Sequence, residues 1–260
     1  IKIPNERDIS NILKTNQEKS SLLIRAIEND EIYPYFQPIK PASASNKLVI
    51  HELLMRIHQD GKIVSAYEFI EIAEARGLIN SMDLMVIEKA FKEIQRTQYE
   101  GILFINLSPK SLIVGDFINK INAFVLKYEI NKEKIVFEIT ERETVKNFSL
   151  LEKFVHNLKA DGYKFAIDDF GSGFSSFHYI KKFPIDYVKI DGDFIININK
   201  DIKDKAFVNS IVTLAKELKI QTIAEFVENE EIVDVLNELE IDYYQGFHIG
   251  KPSEKFISFK

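Results

Sequence analysis

The sequence predicts an α/β fold, a single barrel of strands alternating with helices, and three observations carry that expectation. Short apolar or β-branched runs alternate with segments of helical period along most of the chain. About eight such strands fit into 260 residues, a length usual for one barrel of ~250 residues. Almost every strand also delivers an acid, an amide or a base at or near its C-terminal end, where parallel barrels carry their reactive groups.

Ile1 to Asp30 reads as a polar entry segment and then an amphipathic helix, with Leu22, Leu23, Ala26 and Ile27 at helical spacing. It is expected to be a connector from an upstream domain, and a first residue of Ile1 rather than Met fits a piece of a longer protein. Residues 31 to 260 read as one domain without an internal linker. Tyr33 to Lys40, framed by Pro34 and Pro38, suits a first strand at a sheet edge. A turn over Pro41 to Lys47 leads to the strand Leu48 to Ile57. Ser65 to Arg76, capped by Ser65 and stopped by Gly77, and Ser81 to Arg96 are helical by period. The strand Ile102 to Leu107 and the helix Phe117 to Tyr128 follow, then the strand Ile135 to Thr140 and the helix Leu150 to Lys159, stopped by Gly162. A strand enters Asp168, a short helix is expected near Ser176 to Lys182, and Tyr187 to Asp191 is the next strand. The helix Lys205 to Leu218, the strand Thr222 to Val227, the helix Glu230 to Leu239 and the strand Tyr243 to Ile249 complete the pattern.

Composition narrows the function. A net charge of −6 offers no basic patch and argues against duplex nucleic acid as a partner. The absence of cysteine excludes disulfides and thiolate metal sites and fits a reducing, cytoplasmic setting. No apolar run approaches the ~20 residues that span a bilayer, and no signal peptide is visible.

The stretch Ile167 to Ser176, IDDFGSGFSS, gives the first chemical reading. Neighbouring side chains on a regular strand point to opposite faces, so Asp168 and Asp169 reach one site only if the strand ends there and the backbone turns. Gly171 and Gly173 are expected to supply that turn, since glycine takes positive φ at little cost. Paired acids before such a loop suit a divalent cation. An Asp-rich turn capping a helix at Ser175 fits the same stretch equally well.

Reading the other strands to their ends adds Glu52 and Arg56, Asn106, Glu138 and Glu141, Lys189 and Asp191, Glu225 and Glu228, and Gln245. Glu52 sits among apolar neighbours, where an unpaired carboxylate is expensive, so a cation or Arg56 must lie near it, and Glu138 inside IVFEIT is an isolated acid of a kind rarely inert. Asn106 also fits a turn, and Glu141 also fits a loop anchor. Lys189, between Val188 and Ile190, must find carboxylates. The five histidines show no ligand spacing and read as structural or surface residues. Together Glu52, Asn106, Glu138, Asp168, Asp169 and Glu225 form an all-oxygen set that selects Mg²⁺ or Mn²⁺. So many acids suit two cations ~4 Å apart, a pair that activates water for in-line displacement at phosphorus. Lys189 then faces the attacking water or the phosphate, as a base or as a positioning group, because carboxylates raise its pKa while metal and burial lower it.

The ordered set HELLMR, NLS, EITE, DDFGSGFSS, VKID, AEFVE and QGF closely resembles the EAL domain family, phosphodiesterases that cleave cyclic di-GMP. The resemblance covers about Ile32 to Pro252. It implies a modified (β/α)8 TIM-like barrel with its first strand antiparallel, two Mg²⁺ or Mn²⁺ ions, and hydrolysis to linear pGpG. It assigns Glu52, Asn106, Glu138, Asp168, Asp169 and Glu225 as metal ligands, Lys189 as the contact of the catalytic water, and Glu141 as the anchor of the loop after Asp169. Glu228, Asp191 and Gln245 match positions lining the site, and Gln37 and Arg56 match residues that hold the ligand. A homodimer and an upstream regulatory domain are also implied. The stripe of Phe207, Ile211 and Leu214 suits a dimer contact and a core-facing helix alike.

Two departures stand out. Leu53 replaces the Ala of the name-giving tripeptide, with Glu52 kept, so packing is expected to adjust and the metal to stay. Phe226 replaces a usual Gly, and is expected to shift Glu225 if that Gly serves a close backbone approach. A catalytically weak or inactive domain that acts as a receptor for the nucleotide, or as a protein-interaction module, is the alternative to the enzyme.

Overall fold

The computed structural model describes residues 6–43, 45, 47–59, 61–65, 68–108, 111, 116–172, 180 and 182–257. Among the described residues nine strands form one sheet: β1 (Ile32–Pro41), β2 (Ile50–Gln59), β3 (Lys62–Ser65), β4 (Ile102–Asn106), β5 (Ile135–Thr140), β6 (Lys164–Phe170), β7 (Tyr187–Ile190), β8 (Gln221–Ala224) and β9 (Tyr243–Gln245). Their order is β1-β9-β8-β7-β6-β5-β4-β2, and β1 pairs again with β2, so these strands close into a barrel and β3 hangs on β2 as a hairpin. Apart from the β2–β3 hairpin, every neighbour pair from β2 through β9 is parallel. β1 runs antiparallel to both of its neighbours, as the family resemblance implied.

That closure corrects the expectation of an edge strand. The prolines fit because of hydrogen-bond parity. Phe36 exchanges both backbone bonds with Ser253, at 2.7 and 3.1 Å, so Pro34 and Pro38, at the same parity, turn their missing N–H away from β2. β9 pairs only with Ile39 to Pro41 and asks nothing of either proline.

The helices are α1 (Glu6–Glu28), α2 (Ile70–Ala75), α3 (Ile79–Thr97), α4 (Phe117–Lys127), α5 (Glu141–Lys146), α6 (Phe148–Ala160), α7 (Gly192–Ile195), α8 (Ile202–Leu218) and α9 (Glu230–Glu238). Ser65 does not cap a helix: it ends β3, and α2 begins only at Ile70. The hairpin and the short α5 and α7 have too few residues to show a period, which is why the pattern missed them. The expected strands over 222–227 and 243–249 end early, at Ala224 and Gln245. The expected helix over 176–182 lies outside the described residues except at Ile180 and Lys182. Leu23 and Ala26 of α1 are buried in the core, so this end of the segment packs on the domain it precedes. The α8 stripe also turns inward, with Ile211 buried and the Phe207 ring stacked on Phe194 at 4.3 Å.

Two apolar layers follow from strand alternation. Outward residues such as Leu103, Phe137, Phe165 and Val188 pack beneath the helices. Inward residues Ile39, Ile50, Phe104, Val136, Ala166, Tyr187, Ile223 and Tyr243 fill the barrel as a plug. Two positions further along each strand, on the same face, stand Gln37, Glu52, Asn106, Glu138, Asp168, Lys189, Glu225 and Gln245. Gln37 precedes its plug residue because β1 is reversed. One polar side chain per barrel strand therefore rests on the apolar floor.

Away from that layer, Asp83 of α3 is buried with only the Ser111 hydroxyl donating to it among the described residues, at 3.2 Å. Burial pushes its carboxyl up to about 7, Ser111 opposes this, and Glu74 adds to it. A carboxyl raised in the fold stabilises it fully below the unfolded value and ceases to do so as pH rises through about 7. Stability should therefore fall between pH 5 and 8 by at most about 3 kcal/mol from this group. Urea midpoints at the two pH values should lie closer together in Asp83→Asn, and an unchanged gap would refute the assignment.

Candidate functional site

Lys189 stands at the centre of the polar layer and is 1% exposed. Its Nζ lies 2.9 Å from Glu225 Oε1, 3.1 Å from Asp168 Oδ1, 3.2 Å from Glu138 Oε2 and 3.4 Å from Glu52 Oε2. Asn106 donates Nδ2 to Glu52 Oε1 at 2.8 Å and to Glu138 Oε1 at 3.1 Å, and Gln245 donates to Glu52 Oε2. Four carboxylates thus converge on one ammonium. Burial alone would lower the Lys189 pKa, but Asp168, Glu138, Glu225 and Glu52 hold it well above the ordinary value. Burial also lifts Glu138 and Glu225 far above the usual carboxylate range, with Lys189 opposing and the neighbouring acids adding to the rise. Glu52 ends below its ordinary value, because Lys189, Gln245 and Asn106 together outweigh its burial.

The adjacent aspartates meet by a device the sequence reading did not foresee. The β6–β7 register shifts between Ile167 and Phe170, and Asp169 itself takes a φ of +53°. The turn therefore begins in the second aspartate, ahead of the glycines expected to supply it, and Gly173 lies outside the described residues. It brings oxygens of Asp168, Asp169 and Glu225 within 4.8 Å of one another. Burial, then Asp168 and Asp191, push the Asp169 carboxyl up to about 6. Gly171 follows at a φ of +103°, where a Cβ would meet the Phe194 and Phe207 rings at 2.9 Å. Its N–H donates to buried Glu141 Oε2 at 2.8 Å, so Glu141 stands behind the loop and anchors it. Residues 173–179, which complete the sequence motif, lie outside the described residues.

The remaining candidates fall around this centre. Gln37, Arg56, Glu228 and Gln245 line a cavity of about 360 Å³ that also touches Glu52 and Glu225. Asp191 accepts the Asp193 N–H at 2.9 Å and caps α7. His51 is buried between the Tyr99 hydroxyl and the Ile257 N–H, and burial lowers its pKa to about 4, which fits the structural role expected for it. The sequence reading missed the apolar walls, Leu54, Phe247 and Pro252. The alternation that points Glu52 inward also points Leu54 inward, and was the available signal.

Both departures are accommodated. Leu53 points outward into the helix-covered core, 4% exposed, and does not face the cavity. Phe226 keeps a glycine-like φ of +52°, a conformation that costs a side-chain-bearing residue roughly 1–2 kcal/mol. Its ring lies over Gly192, where a Cβ would come within 2.3 Å of it. Glu225 stays against Lys189, so the expected displacement does not occur.

The residues fit a divalent cation on their own evidence. Glu138 Oε2, Asp168 Oδ1 and Gln245 Oε1 are buried without a hydrogen bond, although the first two lie near the ammonium. Buried acceptors without a donor are costly, and hard oxygens in excess of local positive charge are what Mg²⁺ or Mn²⁺ takes.

The EAL domain family model matches residues 22–252. The chain is 37% identical over 257 residues to the cyclic di-GMP phosphodiesterase PdeB of Shewanella oneidensis, covering 97% of this chain and 30% of that protein. It is 38% identical over 244 residues to the cyclic di-GMP phosphodiesterase PdeA of Borreliella burgdorferi, covering 93% and 36% respectively. Among solved structures it resembles the PaMucR phosphodiesterase in its c-di-GMP complex, with a TM-score of 0.84 and 26% identity over 91% of this chain and 97% of that one. The chain spans about a third of the length of these two curated relatives.

Removing the central charge tests the electrostatics directly. Lys189→Met should destabilise the metal-free protein by about 3–5 kcal/mol, because the carboxylates lose their buried partner. Mn²⁺ should then stabilise the variant more than the parent in urea unfolding. Equal stability of the two proteins in chelator would contradict the arrangement.

Proposed function

The chain belongs to the EAL domain family, and on that premise we propose that it is a metal-dependent phosphodiesterase that hydrolyses cyclic di-GMP to linear pGpG. One observation carries the reading: an acid or amide stands at each position the family motif requires of a metal ligand, and five of these six residues converge in contact with Lys189 or with one another, with Glu52 and Glu225 lining the cavity. Asn106, the sixth, is tied to two of them through Nδ2, which leaves its Oδ1 as an oxygen ligand.

Glu52, Asn106, Glu138, Asp168, Asp169 and Glu225 would hold two Mg²⁺ or Mn²⁺ ions. Bound there, the ions supply Lewis-acid polarisation of a phosphate and acidify the attacking water. Lys189, shared among four carboxylates, keeps them convergent and presents a positive charge to the water and phosphate, a positioning role. Arg56 offers a planar fork of donors that suits phosphate oxygens. Gln37, Asp191, Glu228 and Gln245 line the ligand's path, and Glu141 fixes the loop that carries Asp169 by holding Gly171. A homodimer, an upstream regulatory domain and a cytoplasmic setting belong to the same reading, on family resemblance and on the chain's share of its relatives' length. Among the described residues no helix is long and apolar enough to cross a membrane.

Cyclic di-GMP incubated with the purified protein and Mg²⁺ or Mn²⁺ should yield pGpG, and chelator should abolish the product. Glu52→Ala should lower turnover by at least about 100-fold, more than loss of an outer-shell partner costs. Phe226→Gly should change kcat by no more than about threefold, since Glu225 is already in place. Tight nucleotide binding without product would assign the chain as a receptor, and a large gain in Phe226→Gly would make that ring the cause.

A further inference from the structure

The inner face of the β1–β2 hairpin continues outward beyond the metal-ligand layer. On β2 it carries Glu52, Leu54, Arg56 and His58, and opposite them β1 carries Gln37, Tyr35 and Tyr33. Tyr35 is buried, and the Arg56 guanidinium carbon lies 5.6 Å from its ring centre. One Arg56 donor, Nη1, goes to the Met55 carbonyl at 2.8 Å. Among the described residues no carboxylate lies within ion-pair distance of Arg56, so the rest of its fork is uncommitted beside the cavity.

The Tyr35 ring is held by its hydroxyl, which donates to Glu254 Oε1 at 2.9 Å and lies 3.1 Å from His58 Nε2. Glu254 comes from a C-terminal strap that follows the last family-matched residue. The strap is fastened on both sides of Glu254. Ser253 exchanges two backbone bonds with Phe36, the Phe256 ring stacks on Tyr99 at 3.9 Å and packs tilted against Phe36 at 4.0 Å, and Ile257 donates its N–H to His51 at 3.0 Å.

We propose that Tyr35 is a positioning residue for Arg56, held by Glu254 of the C-terminal strap, so that residues 253–257 set the affinity for the phosphodiester ligand. This rests on the reading that Arg56 holds that ligand's phosphate. A guanidinium confined between a ring face and one carbonyl needs less ordering when phosphate arrives, and it loses that advantage when the ring is gone. Assigned to the phosphodiester that is not cleaved, which keeps its charge through the reaction, the grip of Arg56 acts on binding and not on turnover.

Steady-state kinetics on a double-mutant cycle tests this. Tyr35→Leu should raise KM about fivefold with kcat within about twofold of the parent. Tyr35→Phe and Glu254→Gln, which keep the ring and disturb only its tether, should each raise KM about twofold and add nothing to one another. In an Arg56→Ala background none of the three should raise KM further. Tyr35→Phe and Glu254→Gln carry the test alone should Tyr35→Leu fail to fold. Additive effects in the Arg56→Ala background, an unchanged KM, or a fall in kcat at constant KM would overturn the proposal. An active parent with such variants refutes this inference alone. A parent that binds cyclic di-GMP without turnover is tested through the same cycle by calorimetric Kd, and a parent that neither binds nor hydrolyses it refutes both this inference and the functional reading beneath it.

Discussion

The buried ammonium of Lys189, facing four carboxylates, is the interaction around which the molecule is arranged. Desolvation works against every one of these charges, and a single positive charge does not neutralise four negative ones. The barrel tolerates the arrangement because the acids arrive from different strands, each fixed by its own backbone ladder and by the plug residue two positions away. Asn106 and Gln245 add donors where Glu52 needs them, which with Lys189 is why Glu52 ends below its ordinary pKa despite its burial. The surplus of negative charge and the orphaned oxygens of Glu138 and Asp168 are the physical reason that the centre suits divalent cations.

Two of the residues other than glycine that take a left-handed φ, Asp169 and Phe226, stand at the centre, where regular geometry would fail. A regular strand would turn Asp169 away from Asp168, and the register shift with its positive φ turns it back. At Phe226 the chain leaves β8 through a left-handed residue, which lets Glu225 point at Lys189 while the ring rests on Gly192. Each costs of order 1–3 kcal/mol, and the surrounding ladders and packing hold it in place. Gly192 next to Asp191, and Gly171 against Glu141, show how tightly backbone and ring are fitted around the centre.

The reversed first strand links the site to the end of the chain. Because β9 pairs with only part of β1, the remaining backbone groups of Phe36 are satisfied by Ser253. That fastening carries Glu254 to Tyr35 and so to the outer rim of the cavity.

Much of this was legible in the sequence for a simple reason. A strand's period of two and the placement of polar residues at strand ends are local properties, so the alternating pattern was enough to expect a barrel and to nominate Glu52, Asn106, Glu138, Asp168, Asp169, Lys189, Glu225 and Gln245. The motif set supplied the reversed first strand and the ligand roles. Three matters were settled only by the tertiary structure. Pro34 and Pro38 signalled an edge, but which neighbour a missing N–H faces depends on partners far along the chain. The glycines after Asp169 signalled the turn, and Gly171 does take a positive φ, but the register between β6 and β7 made the aspartate itself begin it. Phe226 signalled displacement of Glu225, but the space that accepts its ring is the missing side chain of Gly192. The sequence by itself determined which residues belong to the polar layer, because that follows from periodicity along one strand. How those residues meet was decided by pairing and packing between strands, which no single stretch of chain contains.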